Sequence, residues 1–212
     1  MQRRLLAATA IVWAIAGTAC GAPGTTGSAD SRIGPIAAPL ASAVPANPGR
    51  RMVVDVKGRT VDVPPHAERI VALSEPTLDG LLATGVAPVG ISAGRGQTTT
   101  TAYLADLVGD ATVVATLGSP NLEAIAVAQP DLIVTDATAG TDTNTLELLS
   151  AIAPTVFVST PGEDWKTAFR ALAEATGRTD ATERVIANHE AQVAALRAEL
   201  GERLAESVSI VR

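Results

Sequence analysis

Ile70-Val-Ala-Leu73, set between Arg69 and Ser74, is an apolar run with no polar face, and Leu132-Ile-Val134, set between Asp131 and Thr135, is a second of the same kind. Strands with one wet face alternate in polarity. Short continuous runs such as these suit strands covered by helices on both faces. Working outward, strands are expected at Arg69–Ser74, Ala87–Ile91, Asp131–Thr135 and Thr155–Val158. Helical patterns lie between and after them at Thr77–Thr84, Leu122–Ala128, Thr143–Ala153 and Asp164–Thr176. Strand and helix in alternation imply an α/β fold around a mostly parallel sheet. Asp180–Leu204 is the longest periodic segment, with Ile186, His189, Val193, Leu196, Leu200 and Leu204 forming one apolar stripe. Asp180 is the expected N-cap and Glu183 the far end of a near capping box. A helix of that length spans about 35 Å and suits a strut. Ser207-Val-Ser-Ile-Val211 then reads as the start of another strand.

Composition narrows the function. Hydrophobic residues are 47% of 212, enough to fill a core, which excludes disorder of the whole chain. The net charge of −6 leaves no basic face for phosphates, and 2% aromatics leave no stacking platform, so nucleic acid is not an expected partner. One cysteine excludes an internal disulfide, and two histidines leave little for a metal cluster. Arg3-Arg4 and the apolar run Leu5–Ala16 are too short to span a membrane and read as an export signal. Residues 21–50 hold five Gly and five Pro and read as a tether. Met52–Val56 and Thr60–Val63 flank Lys57-Gly58 as a β-hairpin ended by Pro64-Pro65. The chain thus divides into a leader (1–20), a tether (21–50), an α/β lobe (51–178), a long helix (179–206) and the start of a further unit (207–212).

Several segments resemble one family. They are Asp55-Val-Lys-Gly58 with Val61-Asp-Val-Pro64, then Glu68-Arg-Ile-Val-Ala-Leu73, Gly85-Val-Ala-Pro-Val-Gly90, Gly118-Ser-Pro-Asn-Leu-Glu123 and Gln129-Pro-Asp-Leu-Ile-Val134. From about Met52 to Arg212 the chain resembles the substrate-binding lipoproteins of ABC importers for ferric siderophores, haem and cobalamin. The resemblance implies a Rossmann-like N-terminal lobe joined by its long helix to a second lobe, which is missing from this sequence. It implies a ferric siderophore (or haem or cobalamin) in the cleft, an ABC permease as partner, and iron that arrives already chelated, with no cofactor or protein-held metal. Gly17-Thr-Ala-Cys20-Gly21 resembles a lipobox with Gly17 as a departure, implying that Cys20 carries lipid and anchors an exported chain to the outer face of the cytoplasmic membrane or in the periplasm. Ordinary cleavage near Ala19 is the plainer alternative. In the family, the glutamate matching Glu123 docks onto permease arginines; by itself it is also an acid favoured in a helix's first turn.

In open α/β sheets, ligands sit beyond the carboxyl ends of the strands. Arg95, between Gly94 and Gly96, is the best candidate for an anionic ligand, since a guanidinium offers forked donors. A solvated loop arginine is the plainer reading. Tyr103 and Trp165 are the aromatics near the expected rim, where each either meets ligand or anchors a helix. Ser74, Glu75 and Asp136 follow strands and double as caps or loop solvators. His66 is expected exposed, and His189 is expected to be part-buried on the strut. Gly90-Ile-Ser-Ala-Gly94 satisfies the nucleophile-elbow pattern, but poor helix material follows it. No catalytic residue is assigned. A secreted serine esterase using Ser92 with His189 is the alternative from another class, and a non-binding surface or scaffold lobe is a third.

Overall fold

A computed structural model describes residues 49–139, 142–205 and Ser209. The leader with Cys20, nearly all of the tether and the strand expected at Ser207–Val211, apart from Ser209, lie outside the described residues.

Strands β1 (Arg51–Val54) and β2 (Thr60–Val63) form the expected antiparallel hairpin. The main sheet contains β3 (Ile70–Ala72), β4 (Gly90–Ser92), β5 (Thr112–Thr116), β6 (Ser119–Pro120), β7 (Leu132–Thr135) and β8 (Thr155–Phe157). Their order is β6-β5-β4-β3-β7-β8, all parallel except β6, which returns antiparallel on β5. Helices α1 (Glu75–Ala83), α2 (Leu122–Val127), α3 (Thr143–Ile152) and α4 (Trp165–Thr176) fall where the periodicity places them, within two residues at each end. Side chains alternate across the sheet as strand geometry requires. Ile70, Leu132 and Val134 join Leu78, Leu81 and Leu172 under α1 and α4, while Val71 and Ile133 join Ile125 and Leu149 under α2 and α3. Both faces are therefore filled, which is why these strands carry no polar alternation.

The hairpin guards an edge. The Val56 amide donates to the Phe157 carbonyl at 3.1 Å and Arg59 Nη2 to the Thr155 carbonyl at 3.0 Å, so the β1–β2 turn covers the free side of β8. Buried Asp55 holds that turn by accepting from the Lys57 and Arg59 amides and pairing with the Arg59 guanidinium at 2.6 Å. At the hairpin's other end, Arg51 Nη1 donates to the Glu174 carbonyl at 2.6 Å and caps the end of α4.

Several expectations need correction. β5 and β6 lie where no strand is expected. The strand expected at Ala87–Ile91 starts later, at Gly90, where an added Cβ would come within 3.0 Å of Val71 and 3.1 Å of Val114. The long helix, α5, runs Thr179–Leu200 and continues as a 3₁₀ turn over Gly201–Ala205. Asp180 is not its cap. Gly177, at φ 71°, ends α4 in the left-handed region, and Arg178 starts α5 with no side-chain cap, leaving Asp180 inside the first turn. Glu183 instead pairs with Arg170 at 2.7 Å, and this pairing raises the Arg170 pKa and lowers that of Glu183. Of the strut's stripe only Ile186 is buried; His189 is exposed, its ring meeting that of Trp165 edge-on at 5.1 Å. Leu196 and Leu204 are each 54% exposed, so the far half of the helix has an uncovered apolar face among the described residues.

Candidate functional site

From β3 the chain builds β4, β5 and β6 on one side, then crosses back to place β7 and β8 on the other. The reversal falls between β3 and β7, and a crevice opens beyond the carboxyl ends of two such strands. Ser74 follows β3 and Asp136 follows β7. Ser74 Oγ donates to Asp136 Oδ2 at 2.7 Å and accepts from the Thr77 amide at 3.2 Å as the N-cap of α1. Asp136 Oδ1 accepts from the Thr138 amide at 2.8 Å and from Thr138 Oγ1 at 2.6 Å. Both residues are buried, so their first task is to tie the two strand ends together.

A hollow opens on each side of this tie. The smaller, about 130 Å³, is lined by Ser74, Glu75, Ser92, Arg95, Leu117 and Thr138. The larger, about 480 Å³, lies between α1, α4 and the first half of α5 and includes Asp79, Asp136, Thr138, Glu163, Trp165 and Phe169. Pro76 and Thr138 line both hollows, which makes them neighbours. Three of the six expected ligand residues (Ser74, Glu75 and Arg95) therefore meet in one hollow, and Asp136 and Trp165 meet in the other.

Tyr103 lines neither. It is 67% exposed on a 3₁₀ turn (Ala102–Leu104), and its hydroxyl donates to Asp79 at 3.1 Å, strapping the loop after β4 onto α1. Burial pushes the Asp79 pKa above its ordinary value; the Tyr103 hydrogen bond opposes the rise and the charge of Glu75 adds to it. Asp79, Glu163 and Phe169 were not legible as site residues, because they converge only when α1 and α4 pack together. The one local signal was Gly80 in the interior of a helix.

Glu123 stands apart from both hollows. It is exposed in the first turn of α2, behind the N-cap Asn121. It lines a groove of about 630 Å³ with Arg69, Pro88, Asp110 and Val127, built from segments that precede β3, β4 and β5. Arg69 is committed there to the Ala128 and Gln129 carbonyls.

The geometry around Ser92 differs from a nucleophile elbow. Its hydroxyl donates to the Ala93 carbonyl, and a turn at Gly94–Gln97 follows in place of a helix. His189 packs on Trp165, and among the described residues no hydrogen bond joins it to Ser92. No group of three or more His, Cys, Asp or Glu suited to a metal ion occurs among the described residues.

The described residues thus form a mostly parallel sheet with a crevice at its switch point, followed by a long helix. Residues 70–211 match the periplasmic binding protein family, and the chain belongs to it. It is 33% identical over 163 residues to the probable siderophore-binding lipoprotein YfiY of Bacillus subtilis, covering 76% of this chain and 49% of that protein. It is 31% identical over 156 residues to the Fe(3+)-citrate-binding protein YfmC of the same organism, covering 71% and 47%. Staphylococcus aureus SirA complexed with staphyloferrin B superposes with a TM-score of 0.62 at 27% identity, covering 72% of this chain and 52% of that one. The chain spans about half the length of the relatives it matches.

Proposed function

We propose that this chain forms the N-terminal lobe of an exported, lipid-anchored solute-binding protein that captures a ferric siderophore and hands it to an ABC importer. The carrying observation is the meeting of Arg95, Ser74 and Glu75 in the hollow beside the β3–β7 switch point, in a chain whose relatives are named for siderophores and ferric citrate. Arg95 is exposed on its glycine-flanked turn, free to offer forked donors to the oxygen-rich shell of a chelate. The Ser74–Asp136 tie keeps the floor rigid while the surrounding loops adapt. The protein's part is capture and delivery, with iron entering as cargo inside its chelator. Haem and cobalamin remain the other cargoes the family resemblance implies.

Two parts of this reading have separate tests. With Cys20 acylated, Cys20→Ala is expected to release the protein from the membrane fraction, since stable anchoring rests on acyl chains; retention of the variant there contradicts the anchor. Glu123 sits at the amino-end groove, away from both hollows, and serves as the permease contact through charge-assisted pairing. In a chain joined to a second lobe, Glu123→Ala is expected to lower uptake of radiolabelled ferric siderophore at least tenfold with an unchanged Kd. An equal fall in affinity would place Glu123 in ligand capture instead.

A further inference from the structure

The larger hollow has a chemistry that the siderophore reading does not use. At about 480 Å³ it is of ligand-binding size, since such pockets run to about 300–1,000 Å³. Its walls are mostly apolar, from Ala83 and Val158 to Phe169 and Leu172, with the Trp165 indole at the rim. The charged side chains lining it are all acidic: Asp79, Asp136 and Glu163. Asp136 is saturated by Ser74 and Thr138. Asp79 and Glu163 are different. Asp79 is exposed and receives the Tyr103 hydroxyl, while Glu163 accepts from the Thr160 amide through one oxygen, at 3.0 Å. Lys166 does not line the hollow; it pairs with Glu190 across to α5, and its Nζ lies over the Trp165 ring at 5.8 Å, at the outer limit of a cation–π contact.

An apolar wall with an electron-rich aromatic face and carboxylates, and no lining cation, complements an organic cation. An anion would meet like charge there, and a neutral apolar group would gain nothing from the carboxylates. We infer that the hollow between α1, α4 and α5 is a binding site for the ammonium head of an amphiphilic organic cation, its alkyl part on Phe169 and Leu172 and its charge between Trp165, Asp79 and Glu163. The raised pKa of Asp79 fits this, because a partly desolvated carboxylate is relieved when a cation arrives. The inference goes beyond the siderophore reading and stands independently of it. A ferric chelate carrying a pendant ammonium would be one natural occupant of the two neighbouring hollows.

The test uses the full chain carrying Trp13→Phe, so that Trp165 is the sole indole. Hexyltrimethylammonium is titrated against it while Trp165 fluorescence is read, with hexanol and hexanoate as neutral and anionic controls of equal chain length. The expected result is a saturable change with the ammonium compound, at least tenfold weaker with either control. Asp79→Asn with Glu163→Gln keeps both acceptor positions and removes both charges, and it is expected to weaken the cation at least tenfold while leaving the circular dichroism unchanged. Equal affinity for hexanol, no loss in the double variant, or no saturable binding would each overturn the inference. A cation that binds while no ferric siderophore does would leave the inference standing and remove only the siderophore reading.

Discussion

Asp136→Ala is expected to destabilise the lobe by about 3 kcal/mol, because it removes a buried charged acceptor from three donors at once. Ser74 Oγ and the Thr138 amide and hydroxyl would lose their common partner, and Ser74 is itself buried. In a chain of this size that loss corresponds to a fall in Tm of about 6–12 °C. Asp136→Asn keeps an acceptor for Thr138 and is expected to cost about half as much. Thermal unfolding followed by circular dichroism reads both variants. A shift below about 2 °C for Asp136→Ala would mean that the tie between the β3 and β7 ends is not structural, and that the buried carboxylate is reserved for ligand.

Gly80→Val is the second large expected effect, at about 2–3 kcal/mol of lost stability. Gly80 is buried where α1 crosses α4, and a Cβ there would lie 2.5 Å from Leu172 Cδ2 and 3.2 Å from the Phe169 ring. Alanine is the informative intermediate. It gains about 1 kcal/mol of helix propensity over glycine and forces Leu172 to shift, so its net effect is expected to be small. Valine adds two further methyl groups with nowhere to go. Urea midpoints for the three proteins should therefore place glycine and alanine close together and valine far below. If valine matched glycine, α1 and α4 would not be in contact at this crossing, and the larger hollow that their packing frames would have another shape.

The α/β architecture was legible because burial on both faces erases strand alternation. Ile70-Val-Ala-Leu73 and Leu132-Ile-Val134 could not be half-exposed strands, and both lie inside the sheet with a strand on either side. The helix starts expected at Thr77, Leu122, Thr143 and Asp164 lie within two residues of those in the structure, where Ser74, Asn121, Asp142 and Asp164 are the caps. Asp180 misled for a physical reason: Gly177 closes α4 so tightly that α5 begins before the next capping side chain is reached. Strand β5 was missed because Thr112-Val-Val-Ala-Thr116 is apolar only in its middle, and β6 because two residues beyond the Gly118 turn carry no period at all. His189 was read as part-buried from its place on the stripe, yet the stripe's outer half has no covering element among the described residues.

The site divides along the same line. Ser74, Glu75, Arg95 and Asp136 are brought to the two neighbouring hollows because they follow strands, and strand ends of a parallel sheet converge whatever the details of packing. Tyr103 was drawn to the rim by being a scarce aromatic near a glycine-rich loop, but its hydroxyl is used on Asp79 and it lines neither hollow. The larger hollow depends on the approach of α1 to α4, on Phe169 turned toward Gly80, and on Val185 reaching in from α5. These are tertiary contacts between segments far apart in sequence, and no local pattern encodes them.

On the proposed function, the carboxyl ends of β3, β4 and β7 form one wall of a siderophore cleft. The most direct measurement is an NMR titration of the isotope-labelled chain with a gallium-loaded siderophore, the diamagnetic stand-in for the ferric complex, because shifts report contact even when one wall alone binds weakly. Perturbed amides are expected at Ser74–Thr77, Ala93–Gln97 and Asp136–Thr138, lost in Arg95→Ala, with Asp110 and Glu123 unmoved. Shifts confined to the groove around Asp110 and Glu123, or none at any concentration of the chelate, would contradict it.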